Sequence, residues 1–146
     1  MSFRFSLAAV LLLREIEEER EERALTQILR QIGETREAIL AIESQLQELA
    51  HERESSVGSM QLARSLREAE ETRNSLQAVR IAREQQLSKL EEQRLQQIAR
   101  YQQAHRARKM LTEMREAQQT RWHAERLRRE QSTADDVFLS RRSRRQ

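Results

Sequence analysis

Residues 25–49 read LTQILRQIGETREAILAIESQLQEL. Leu25, Ile28, Ile32, Thr35, Ile39, Ile42, Leu46 and Leu49 fall at alternating steps of three and four. That spacing keeps one apolar stripe on one side of a helix, the a/d seam of a coiled coil, with Thr35 its only polar member. Low mean hydropathy favours disorder, but a sustained period argues for a helix that packs against something. Gly33 lies inside this helix, where it costs about 1 kcal/mol relative to alanine.

Past Leu49 the stripe ends. Glu54-Ser55-Ser56-Val57-Gly58-Ser59 is the one cluster of small polar residues that holds a glycine. It reads as a turn, with Ser59 capping the next helix. A weaker seam follows: Leu66, Ala69, Arg73, Leu76, Val79, Arg83, Leu87, Leu90, Arg94, Ile98, Tyr101 and His105. Its three arginines can lay their stems along an apolar groove and keep their heads in water. Folding the chain so that residue i faces residue 115−i brings Leu49 to Leu66, Leu46 to Ala69, Ile39 to Leu76, Ile28 to Leu87, Leu25 to Leu90 and Glu21 to Arg94. The fold axis then falls at Val57-Gly58, inside the turn.

The expected architecture is all-α: a long antiparallel two-helix coiled-coil hairpin with an overhanging C-terminal helix. It forms one domain over 1–146, with helix 1 at about 3–53, the turn at 54–59, helix 2 at about 60–131 and a basic tail at 132–146. The helices span roughly 75 and 105 Å. Charge agrees. Residues 1–53 carry seven Arg and eleven Glu, whereas 60–131 carry sixteen Lys/Arg and ten Glu. An acidic and a basic half attract each other. A parallel homodimer would leave that asymmetry unused, so the expected species is a monomeric hairpin. In this register Phe3 faces Thr112. Beyond it the second helix has no intrachain partner yet carries Met114, Trp122 and Leu127 among Arg115, Arg121, Arg126, Arg128 and Arg129. Large apolar residues among arginines point to a surface for another protein. In the tail, Asp135-Asp136 with Val137-Phe138-Leu139 suggests a short extra helix, and RRSRR a disordered end.

The opening MSFRFSLAAVLLLREIEEER sets an apolar stretch, Phe5 to Leu13, behind Arg4. No A-x-A-like cleavage site follows, and the stretch is less than half of the roughly 20 residues a spanning helix needs. Leu7, Val10, Leu11 and Arg14 share one helical face, so a retained helix start is expected. Leu12 and Leu13 widen that face into one that needs a cover. The glutamates of Glu15–Glu22 set like charges four apart, each pair costing a few tenths of a kcal/mol. Arg94 and Arg100 on the returning helix are placed to offset them.

Chemistry is sparse. There is no cysteine, so no disulfide or thiolate site. His51, His105 and His123 are too widely spaced for a ligand pair, which leaves zinc nothing to build on. Two isolated glycines make no phosphate loop. A two-helix rod offers little concave surface for a substrate. Neither catalysis, cofactor nor metal is expected. Nor is nucleic acid, because the basic residues lack interleaved aromatics for base stacking.

Both ends resemble one family. F-R-F-S-L-A-A-V-L-L-L-R-E-I-E-E-E, residues 3–19, resembles the start of the bacterial flagellar export protein FliJ, whose members begin F-x-F-x-L-x-x-V-L before a leucine, an arginine and glutamates. M-L-T-E-M-R-E-A…R-R-E-Q-S-T-A-D-D-V, residues 110–137, resembles the family's C-terminal end, with Val137 where isoleucine is common. The resemblance implies a non-enzymatic stalk of the flagellar type III export apparatus, similar to the central stalk of rotary ATPases. Its paired termini would enter the hexameric export ATPase and promote its assembly and activity, while other surfaces would contact the membrane export gate protein and export chaperones. It implies a cytoplasmic protein held peripherally at the inner face of the cell membrane, at the flagellar base. Carried over by position, Phe3, Phe5, Leu7, Val10, Leu11, Trp122, Arg126, Arg128 and Arg129 would form the end that enters the ring. The rival readings are the injectisome counterpart and a structural spacer that binds no ATPase.

Overall fold

A computed structural model describes residues 1–55 and 62–146. It is an all-α hairpin of two helices packed against each other, α1 (Ala8–Ser55) and α2 (Leu62–Arg144). The expected turn at Val57-Gly58 and the cap at Ser59 lie outside the described residues; Glu54 and Ser55 belong to α1. Glu, Gln, Arg, Leu and Ala supply helical propensity along both elements.

Three boundaries differ from the sequence reading. Helix α1 begins at Ala8 rather than near Phe3, because the first residues make a turn in which the Ala8 N–H donates to the Phe5 carbonyl at 3.2 Å. It ends at Ser55 rather than Arg53. Helix α2 runs through the expected tail to Arg144. Residues 132–144 contain no glycine or proline to stop it, and Arg141, Arg142 and Arg144 in the last turn face the negative end of the helix dipole. RRSRR is therefore mostly helical rather than disordered.

The residues group into two compact units: a loop unit, Glu21–Tyr101, and a terminal unit, Met1–Arg20 with Gln102–Gln146. In the loop unit the α1 seam stands as read. Ile32, Thr35, Ile39 and Ile42 are buried, and Leu25, Ile28, Leu46 and Leu49 half-buried. Thr35 is satisfied by donating from Oγ1 to the Gln31 carbonyl one turn back, at 2.8 Å. On α2, Leu90 is buried, but the stripe shifts elsewhere. Val79 is exposed while Arg80 is half-buried, and Gln97 is buried where Ile98 was expected. Gln97 Nε2 donates to the Glu21 carbonyl at 3.1 Å and to the Glu21 carboxylate.

The register also moves. Arg36 pairs with Glu91 at 3.0 Å, where 115−i gives Val79. Glu43 pairs with Arg80 at 3.2 Å, where it gives Thr72. Glu21 meets Gln97 rather than Arg94, and Arg94 Nε is buried without a hydrogen-bond partner among the described residues. The loop unit also holds a cleft of about 660 Å³ between Leu46, Leu49 and Ala50 on α1 and Leu66, Ala69 and Arg73 on α2. That is more concavity than a tightly zipped pair of helices would leave.

Candidate interaction site in the terminal unit

The first seven residues leave the helix and run on along α2, where the aromatic pair of the F-x-F start packs. Phe5 and Leu11 are buried against Leu111, with Phe3 and Leu7 packed on the same cluster. The Leu11 N–H closes the first helical turn on the Leu7 carbonyl at 2.9 Å, so the apolar side chains before and after Ala8 share one surface. Phe3 reaches Trp122, with ring centroids 6.2 Å apart and planes tilted by 57°. His123 meets the same indole edge-on at 5.0 Å. One turn later, the Arg126 guanidinium lies 5.5 Å from the indole centroid, within range of a cation–π contact. Glu130 holds Arg126 from the other side at 2.9 Å.

Beside this cluster sits a charged one. Glu18 accepts from Arg108 Nε at 2.5 Å and Nη2 at 3.3 Å, and His105 Nδ1 lies 3.0 Å from Glu18 Oε1. The Arg108 guanidinium holds the Glu18 carboxyl below the usual carboxylate range. His105 adds to this, and burial opposes it. Only 14% of the Glu18 side chain remains exposed, so this pair is better shielded from solvent screening than the α1–α2 pairs of the loop unit.

The residues singled out from the sequence fall into three groups. Phe5 and Leu11 are internal packing residues, and Phe3, Leu7 and Trp122 are partly covered. Val10, Arg126, Arg128 and Arg129 are exposed, with Val10 turned away from the Leu11 side that packs. Trp122 does not lie on an overhang beyond Thr112, since it is the partner of Phe3. From His123 to Gln146 every residue is exposed, so the free extension starts about three turns later than expected. Missing from the sequence reading were Leu111, and Arg108 with His105 as partners of Glu18. Gln97, Tyr101, Ala104, Arg108 and Leu111 continue by steps of four and three, and following Gln97 instead of Ile98 would have found both.

No group of His, Cys, Asp and Glu among the described residues is arranged to hold a metal ion. Among those residues no helix is long and apolar enough to cross a membrane. What remains is an all-α coiled-coil hairpin whose N-terminal segment is tied to α2 by an aromatic clasp. The chain belongs to the FliJ family: the family model described as "Flagellar FliJ protein" matches residues 3–146. No curated protein and no solved structure matches it.

Proposed function

We propose that this chain is a non-enzymatic stalk of the flagellar type III export apparatus, whose paired termini enter the hexameric export ATPase, raise its activity and link it to the membrane export gate and export chaperones. Membership of the flagellar FliJ family supports the export assignment. The observation that carries the finer reading is the clasp between Phe3 and Trp122 above the Phe5–Leu11–Leu111 cluster. It makes the N-terminal segment and α2 a single end, from which the basic extension with Arg128 and Arg129 projects. A stalk that turns or wedges inside a ring needs such an end, stiff at its base and chemically adhesive at its surface. In this reading Phe5 and Leu11 build the end from within, while Val10, Arg126, Arg128 and Arg129 are its contact residues. The protein works in the cytoplasm, held at the inner membrane face by its partners rather than by a span of its own.

The test is ATP hydrolysis by the export ATPase of the same organism, measured alone, with the full chain, and with a chain truncated after Arg126. That truncation keeps the Phe3–Trp122–Arg126 clasp and removes only the extension. Stimulation by the full chain that is lost on truncation is the expected result. Absence of stimulation and of co-migration with the ATPase would leave a structural spacer.

A further inference from the structure

Two surfaces of the terminal unit carry large apolar side chains that no described residue covers. On α1, Leu12, Leu13 and Ile16 are 58%, 52% and 54% exposed. They lie on the side of the helix away from Leu7, Leu11 and Glu18, which face α2. Glu15 and Glu19 border them along one edge. On the α2 extension, Val137, Phe138 and Leu139 are 44%, 66% and 60% exposed, followed at once by Arg141, Arg142, Arg144 and Arg145. One surface is aliphatic and acid-edged, and the other is apolar and largely basic, with Asp135 at its N-terminal edge.

Their spacings also match. Leu12, Ile16 and Glu19 are separated by four and three residues, as are Ala134, Phe138 and Arg141. Two parallel helices aligned so that residue i of α1 lies beside residue i+122 of α2 would set Leu12 on Ala134, Ile16 on Phe138 and Glu19 on Arg141. At the edges, Leu13 falls toward Val137, and Glu15 and Glu19 toward Arg142. This is the knob spacing of a short parallel coiled coil with flanking charge pairs. Two like-charge approaches result, Arg20 toward Arg144 and Glu15 toward Asp135. The alignment cannot form within one chain, because α1 and α2 run antiparallel there. Between two copies related by a twofold axis, each extension lies along the other copy's α1 and both contacts close together.

We propose that a second copy of this chain covers Leu12 and Ile16 on the one surface and Phe138 on the other, giving a reciprocal dimer in which the α2 extension of each copy packs on the outer face of the other's α1. This departs from the monomer expected from charge asymmetry, because the clasp leaves the outer face of α1 and the extension uncovered. It stands independently of the ATPase reading, and it gives the adhesive end a cover whenever no other partner occupies it.

Sedimentation equilibrium of the full chain over a concentration series, at low and high salt, tests it. The expected result is a monomer–dimer equilibrium that salt weakens, as flanking ion pairs require. Phe138→Glu should weaken the dimer at least about tenfold, the scale of one buried aromatic side chain, with helical circular dichroism unchanged. Arg20→Glu should tighten it, a direction that a folding defect does not produce. With an added oxidant, a chain bearing I16C should crosslink to a chain bearing F138C, and neither variant to itself. A monomer at every concentration overturns the proposal and hands the two surfaces to a different protein. Self-crosslinking of the I16C chain, or a dimer indifferent to Phe138→Glu, overturns the pairing.

Discussion

The loop unit and the terminal unit use the same two helices and hold them in different ways. In the loop unit a run of aliphatic side chains, Ile32, Ile39 and Ile42 on α1 with Leu90 on α2, is buried at regular intervals, and exposed ion pairs such as Arg36–Glu91 border it. In the terminal unit burial is concentrated in one aromatic–aliphatic knot, and the neighbouring layer is a carboxylate held by arginine and histidine. A periodic seam spreads stabilisation over many equivalent layers. A knot puts it into a few contacts that have no equivalents along the chain. The first kind of interface is robust but tolerant of register. The second is specific in register and open to disruption at single residues.

The largest expected effect tests the seam. Ile39→Ala should cost about 2–5 kcal/mol, the usual range for truncating a buried isoleucine, read as a lower urea midpoint by circular dichroism. A loss well under 1 kcal/mol would mean that α1 closes the gap and that the seam is fluid.

Next comes the charged layer. Glu18→Gln should cost about 1–3 kcal/mol near neutral pH, because it removes the negative charge held against Arg108 in a poorly solvated place. The folded-state pKa of Glu18 is lowered from its ordinary value of 4.5. Its contribution is therefore present above that value and lost as pH falls through the lower, folded one. Parallel denaturation curves at pH 7 and pH 3 should show the gap between parent and variant shrinking at the acidic end. A gap that survives at pH 3 would mean that glutamine damages packing rather than charge.

Gly33→Ala should act in the opposite direction and add about 1 kcal/mol of stability. A Cβ there would meet nothing within 4 Å. Thermal melting reads it, and a lowered midpoint would reveal a packing role at Gly33 that the fold does not suggest.

Smallest is Phe3→Leu, expected to cost about 0.5 kcal/mol, the low end for an aromatic pair, because leucine keeps apolar contact with Trp122. Its signature is local. The fluorescence of Trp122, the one tryptophan of the chain, should change while the global melting curve barely moves. If the emission were unaltered, the clasp would not hold in solution.

The α1 seam was legible at all eight positions because seven of its residues are aliphatic and most of those between them are polar or charged, so the period favours one phase. The α2 seam was legible only in part. Where arginine, glutamine and isoleucine alternate, Arg80 and Gln97 can cover a groove as well as Val79 or Ile98, and hydrophobicity no longer selects the phase. The register failed for a related reason. A pattern that repeats every seven residues survives a slide of one repeat with every seam position still facing a seam position. What breaks that degeneracy is contact geometry: Glu43 reaching Arg80, Gln97 bonding Glu21, and Phe3 finding Trp122 instead of Thr112.

By itself, then, the sequence determined that this protein is helical, that it folds back on itself once, that an acidic and a basic arm face each other, and that its two ends carry the features of the FliJ family. These follow from propensity, period and charge, which are properties of each segment alone. Only the tertiary structure decided which turn of α2 meets which turn of α1, that the first seven residues leave the helix to clasp Trp122, and where the free extension begins. Those outcomes depend on which of several near-equivalent alignments leaves the fewest buried groups unsatisfied, and that comparison exists only once both helices are in contact.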